Sequence, residues 1–153
     1  MDIILKRSIE WLDRLIEFDT TSRLSNLDLI SDIEKYMNEL GVPTRLTHDK
    51  DKTKANLWCT IGPQDIGGVV LSGHTDVVPI DGQEWTKTPF RMSEESGKLF
   101  GRGTSDMKGF CAIALAMAPE MKSRDLKVPI HFAFSFDEEV GCVGVRHLSL
   151  IHI

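Results

Sequence analysis

The chain has 153 residues, 41% of them hydrophobic, and a formal net charge of −5. That length fits one domain with a real core, and an acidic balance with no recurring basic patch argues against nucleic acid as a partner. The longest apolar runs fall far short of a membrane span, and the N-terminus, charged from Asp2 onward, lacks the basic–apolar–small order of a signal peptide.

Residues 2–18 read as an amphipathic helix, with Ile4, Trp11, Leu12, Leu15 and Ile16 on one face and Lys6, Arg7, Asp13 and Arg14 off it. A polar loop, Asp19-Thr20-Thr21-Ser22, ends it. A second helix is predicted over residues 26–40, with Asn26 as N-cap, a stripe through Leu27, Ile30, Ile33, Tyr36, Met37 and Leu40, and Gly41 as the stop. Residues 42–46 form a short strand candidate, and residues 48–54, rich in Lys and Asp, a solvated loop. Residues 56–61 read as a strand closed by Gly62-Pro63. The short separation from the apolar run at 69–71 predicts an antiparallel hairpin.

After Pro79 an irregular stretch, residues 80–98, is expected to be packed down by Trp85, Pro89 and Phe90. A brief strand at Leu99-Phe100 precedes a Gly-rich turn. The third helix, residues 107–118, is small and apolar nearly all round, which predicts burial, and Pro119 limits it. Residues 128–136 give the clearest strand. Ile130, Phe132, Phe134 and Phe136 share one face, and His131, Ala133 and Ser135 share another that must also accept burial. A last helix begins near Val143. Helices alternating with apolar strands argue for an α/β sandwich around a mixed sheet.

Cys59, Cys111 and Cys142 are odd in number and form no CxxC pair, which suits free thiols in a reducing cytoplasm. Cys59 and Cys111 read as small buried hydrophobes. Cys142 lies close to an acidic cluster, but hard carboxylates already crowd that turn.

Three stretches carry chemistry. Ser72-Gly73-His74-Thr75-Asp76-Val77-Val78-Pro79 puts a histidine at the end of a buried strand and a carboxylate two residues on, an arrangement that suits a metal ligand and its orienting partner. Gly101-Arg102-Gly103-Thr104-Ser105-Asp106-Met107-Lys108-Gly109 puts a lone acid in a Gly-rich turn at a helix start. Phe136-Asp137-Glu138-Glu139-Val140-Gly141 puts three acids at the end of another apolar strand. Taken singly, His74 could be a structural histidine, Asp106 an N-cap, and Glu138 and Glu139 a solvated turn. Adjacent carboxylates repel and burial raises their pKa, so the conjunction points to neutralising cations. A two-metal site with one bridging carboxylate and one free carboxylate as general base removes both penalties.

In this order the three stretches resemble the M20 family of zinc amidohydrolases and peptidases, over about residues 5–147. Within it, Asp81-Gly82-Gln83 with Trp85, Pro89 and Phe90 is similar to the acetylornithine deacetylase branch. The succinyl-diaminopimelate desuccinylases are near relatives. The resemblance implies a zinc-exopeptidase-like catalytic domain, a three-layer α/β/α sandwich with a mixed sheet, truncated here. It implies that His74 ligates one metal and Asp76 orients it, that Asp106 bridges two zinc ions (cobalt being possible), that Glu139 ligates the other, and that Glu138 is the general base. The Asp106–Met107 peptide is expected to be cis. The implied substrate is a small N-acyl amino acid, N2-acetyl-L-ornithine first, with a desuccinylase, an aminoacylase or a non-catalytic metal-binding module as alternatives. The full-length parent is expected to be a cytoplasmic homodimer.

The family's site also uses a second Asp after the acidic cluster and a late His, with a lid and dimerisation domain between them. None of His48, His131, His147 or His152 matches that late position. Leu148-Ser149-Leu150-Ile151-His152-Ile153 reads like a translated sequencing adapter. The expectation is therefore that residues 1–147 are the N-terminal part of the catalytic domain, that residues 148–153 are not native, and that the chain alone is inactive.

Overall fold

The computed structural model describes residues 2–152, with side chains described through Leu148. Ile153 and the side chains of residues 149–152, in the stretch expected to be non-native, lie outside the described residues.

Helix α1 spans Ile3–Ile16, and the Asp2 carboxylate caps it by accepting from the Ile4 amide at 2.8 Å. Helix α2 spans Leu27–Glu39. Asn26 sits at its N-cap position, but its side chain makes no capping bond. It pairs instead with the peptide of Ala55, accepting from the amide and donating to the carbonyl, each at 2.9 Å. An amide carries both a donor and acceptors and can match a buried peptide unit, which outweighs a cap that Ser25 Oγ supplies to the Leu27 amide anyway. Gly41 does stop the helix, at φ +69°. Its amide bonds Asn38 O and the Val42 amide bonds Met37 O, both at 2.9 Å, the paired closure of a Schellman motif. Val42 is consumed by that closure, so strand β1 begins later than expected, at Thr44–His48.

Strands β2 (Ala55–Ile61) and β3 (Val69–His74) follow, then a small hairpin of β4 (Ser93–Glu95) and β5 (Lys98–Phe100). The irregular stretch therefore ends earlier than residue 98. Ser96 and Gly97 turn the hairpin with φ of 52° and 72°, the left-handed pair that a two-residue loop needs. Helix α3 spans Lys108–Lys122, β6 spans Ile130–Ser135 and α4 spans Val145–His152.

The main sheet has the order β1-β2-β6-β3, antiparallel except for the parallel pair β3/β6. The expected β2–β3 hairpin is thus not formed: β6 lies between them. Phe132 and Phe134 of β6 are fully buried, and β6 takes an inner position beside β2. The short connection passes under it, with the Val69 amide bonded to Pro129 O at 3.0 Å. A short loop fixes strand direction but not which later strand inserts.

Helices α1, α2 and α3 cover one face, sharing a buried cluster with Ala55, Leu57, Cys59 and Ile61 of β2 and Phe132 and Phe134 of β6. On the other face Asn56 donates to Gly144 O at 2.9 Å, which seats the start of α4. Trp58 stacks on His131 there, at 5.0 Å between centroids. These are three layers around a mixed sheet. No helix among the described residues is long and apolar enough to cross a membrane.

Two expectations for α3 are corrected. Ile113 is 55% exposed, so the helix keeps an outward stripe while Cys111, Ala112, Leu115 and Ala116 are buried. Pro119 lies inside the helix rather than ending it. A proline has no N–H, so the carbonyl four residues back loses its helical donor. Here that carbonyl belongs to Leu115, and the Tyr36 hydroxyl supplies the missing donor at 3.1 Å. Tyr36→Phe should cost about 1–2 kcal/mol by urea unfolding, because the carbonyl is left unsatisfied. In a Pro119→Ala background the restored amide should take over, and the same substitution should cost less than half as much. Equal costs in both backgrounds would refute this pairing.

Candidate metal centre

The parallel register of β3 on β6 sets His74 beside Ser135 at the carboxyl ends of both strands. Ligand sites in α/β sheets gather at such ends. The Thr75 amide bonds Ser135 O at 2.8 Å, so the turn carrying residues 136–139 leaves the sheet next to His74. Asp106 stands just before α3, next to the residue at its N-cap position. A Cβ on Gly73 would lie 2.9 Å from Cys111 Sγ, so glycine there lets α3 approach β3 closely.

His74 Nδ1 is 2.9 Å from the Asp76 backbone carbonyl and 3.5 Å from its Oδ1. The carbonyl can only accept, so Nδ1 carries the hydrogen and Nε2 faces the site. Nε2 lies 3.1 Å from Asp106 Oδ1 and 3.7 Å from Glu138 Oε2. One ligand atom each from His74, Asp106 and Glu139 fall within 4.8 Å of one another. Asp106 is 76% exposed at the side chain while His74 is 4%, so the cluster opens to solvent from one side only.

Asp76 is buried and its carboxylate gathers donors: the Ser22 hydroxyl at 2.7 Å, the Glu138 amide at 3.0 Å and the Glu139 amide at 3.3 Å. Burial alone would push this carboxyl up, but the hydrogen bonds with His74, Ser22 and the two amides outweigh it and hold it below the usual range. For His74, burial works against the charged form, yet the hydrogen bonds to the Asp76 side chain and backbone and to Asp106 win, raising it to about 9. Glu139 is pushed up, first by burial and then by the Asp106 charge.

The acidic trio divides. Asp137, at φ 52°, pairs with the Lys54 ammonium, and both side chains are largely buried. Lys54 was expected in a solvated loop. That loop is instead built around Asp49, which accepts from the Thr53 and Lys54 amides at 2.7 and 2.8 Å and so aims Lys54 inward. Only Glu138 and Glu139 turn toward His74. The donor set of one imidazole nitrogen and two carboxylates suits a divalent cation, and two ligands of a tetrahedral zinc stand about 3.4 Å apart, close to the His74–Asp106 spacing. These residues fit a metal. Cys142 is exposed with Sγ 3.6 Å from Glu138 Oε1, and it is not among the converging ligand atoms. Cys59 and Cys111 are buried thiols, both pushed up to about 12 by burial.

Three supporting residues were not singled out as functional from the sequence: Ser22, Lys54 and Lys108. Lys108 is fully buried, with Nζ donating to Leu15 O at 2.9 Å and Phe18 O at 2.7 Å, and burial lowers it to about 8. A lysine opening an apolar helix two residues after Asp106 was the available signal. The Asp106–Met107 peptide is cis. In the loop beyond Pro79, Gln83 Oε1 accepts from Trp85 Nε1 at 2.9 Å and from Arg102, whose guanidinium covers the Trp85 ring.

Residues 70–150 match the peptidase family M20/M25/M40. Acetylornithine deacetylase of Shigella sonnei is 38% identical over 126 residues, which are 82% of this chain and 33% of that protein. The chain therefore spans about a third of the length of this curated relative. Among solved structures, aminopeptidase PepT of Bacillus cereus superposes with a TM-score of 0.73 at 21% identity, covering 97% of this chain and 40% of that one. The Bacillus subtilis YXEP protein, described as a dinuclear metal-binding peptidase of the M20 family, superposes with a TM-score of 0.67 at 23% identity, covering 96% and 39%. At such identities the two structures speak for the fold.

The raised His74 pKa has a measurable consequence. A folded value of about 9 against an ordinary 6.5 means that the stability His74 contributes to the metal-free chain is complete below the ordinary range and is lost as pH rises through 9. Metal must displace that proton. Zinc affinity should rise about tenfold per pH unit between pH 6.5 and 8.5, with about one proton released from His74, measured by calorimetry in buffers of different ionisation enthalpy. An affinity flat across that range would count against His74 as a ligand.

Proposed function

The chain belongs to peptidase family M20/M25/M40, and from that premise we propose that it is the N-terminal part of a zinc-dependent hydrolase that cleaves the amide of N2-acetyl-L-ornithine to L-ornithine and acetate. The observation that carries the chemistry is the convergence of His74, Asp106 and Glu139 with Glu138 beside them. The substrate rests on the likeness to acetylornithine deacetylase and on the loop with Asp81, Gly82, Gln83 and Trp85.

In this reading His74, Asp106 and Glu139 would hold the metal, and Asp106 would be the ligand shared by a pair of ions. A bound pair of divalent ions, zinc or cobalt, polarises the amide carbonyl and makes water more acidic. Glu138 is half exposed and lies 3.7 Å from His74 Nε2, so it faces both the site and solvent. It takes the proton from the attacking water and returns it to the amine as the C–N bond breaks. Asp76 does not touch substrate. It keeps the His74 ring and the backbone of Glu138 and Glu139 in place through the contacts described above. Residues 1–147 form the front of the catalytic domain, and the remaining ligands and a lid for dimerisation come from the rest of a cytoplasmic homodimer.

The test uses the complete protein, with N2-acetyl-L-ornithine, N-succinyl-diaminopimelate and other N-acyl amino acids as a panel. Acetylornithine should be turned over with the highest kcat/KM. Preference for the succinyl substrate would move the reading to a desuccinylase. Glu138→Gln should retain metal and lose about 10²–10⁴-fold in kcat. Near-normal turnover in that variant would remove Glu138 from the role of base. The 153-residue chain by itself should hydrolyse none of the panel, since three protein ligands shared between two metals would leave both under-coordinated.

A further inference from the structure

Between α1 and α2 the chain runs through Asp19, Thr20, Thr21 and Ser22, a segment that looks like a plain polar loop. It is fixed along its whole length. At its start the buried Lys108 ammonium holds the carbonyls of Leu15 and Phe18. In its middle Thr20 Oγ1 donates to Thr75 O at 2.6 Å, and the Val77 amide bonds Thr20 O at 3.1 Å. At its end the Ser22 amide bonds Val77 O at 3.2 Å, and Lys54 Nζ holds Ser22 O. Thr21 and Val77 form a parallel bridge.

The two lysines tie this segment to the two units that must meet at the metal. Lys108 follows Asp106 by two residues. Lys54 is paired with Asp137, the first residue of the acidic turn. Between them Ser22 is 7% exposed, and its hydroxyl donates to Asp76 Oδ2. The same carboxylate receives the amides of Glu138 and Glu139.

We propose that residues 18–22 are a positioning strap for the metal centre, and that Ser22 acts through Asp76 to set the place of Glu138 and Glu139. Ser22 touches no ligand atom, and its role rests on the reading that His74, Asp106 and Glu139 bind a divalent cation. Without the hydroxyl, Asp76 Oδ2 keeps only the longer bond from the Glu139 amide. The carboxylate is then held mainly through Oδ1, by the Glu138 amide, and can pivot about that bond, which loosens the turn at Glu139. Removing partners of this kind lowers metal affinity by about 10–100-fold.

The test uses the complete protein, with Co²⁺ as the probe. Affinity is read by calorimetry and visible absorption at a temperature where every variant is fully folded. Amide hydrogen exchange is measured on the metal-free protein. Ser22→Ala should bind Co²⁺ at least about tenfold more weakly. Its exchange should be faster by about fivefold or more at the amides of Glu138 and Glu139, and unchanged in β2 and β6. Ser22→Thr, which keeps the hydroxyl, should return both readouts to within about threefold of the parent. Parental affinity and exchange in Ser22→Ala would overturn the strap. So would exchange accelerated evenly across the sheet, or a Ser22→Thr variant as weak as Ser22→Ala, since both assign the effect to packing. If the parent chain binds no Co²⁺, the metal reading fails by itself, and the exchange data still decide whether Ser22 sets the turn.

Discussion

A carboxylate that is 2% exposed must be answered by donors, and Asp76 draws them from two distant parts of the chain and from a near neighbour. Ser22 comes from the loop after α1. The amides of Glu138 and Glu139 come from the turn after β6. His74, two residues away, meets both the Asp76 side chain and its backbone carbonyl. A buried ion left with one donor would be costly. Supplied with all of them, it becomes the point from which the ligand-bearing segments take their positions. The rest of the site is arranged around that satisfied charge.

Charge is also sorted at a coarser level. Three adjacent acids would repel if all faced one space. The structure turns Asp137 away into a pair with Lys54 and leaves Glu138 and Glu139 toward His74. A cation bound by His74, Asp106 and Glu139 therefore meets a smaller local excess of negative charge than the sequence suggests. The neutralising lysine is supplied by the loop between β1 and β2, folded around Asp49.

Much of this architecture was legible in the residues. The stripe of α1, the Gly41 stop and the alternation in β6 follow from periods and turn chemistry that depend on near neighbours alone. The three chemical stretches were legible because each places its acid or histidine at the end of an element. What escaped was non-local. Nothing in residues 56–71 reveals that β6 will lie between β2 and β3. Lys54 looks like any loop lysine until Asp137 is brought near it. Pro119 looks like a stop unless Tyr36 is known to supply the lost donor. Asn26 looks like a cap until the Ala55 peptide offers it a better match. In each case a local preference met a partner many residues away and yielded to it.

The inner placement of β6 has a consequence for the order of assembly. β1 and β2 are close in sequence and can pair as soon as both exist, whereas β3 pairs with β6 only when residues 130–135 are in place. Closing that contact spans more than fifty residues, and such distant pairings carry the slow steps of folding. On a ribosome, His74 and Asp106 would both have emerged before the strand that brings the acidic turn to them. The candidate metal centre is therefore among the last features to form, and its side chains reach their final geometry only when the sheet is complete.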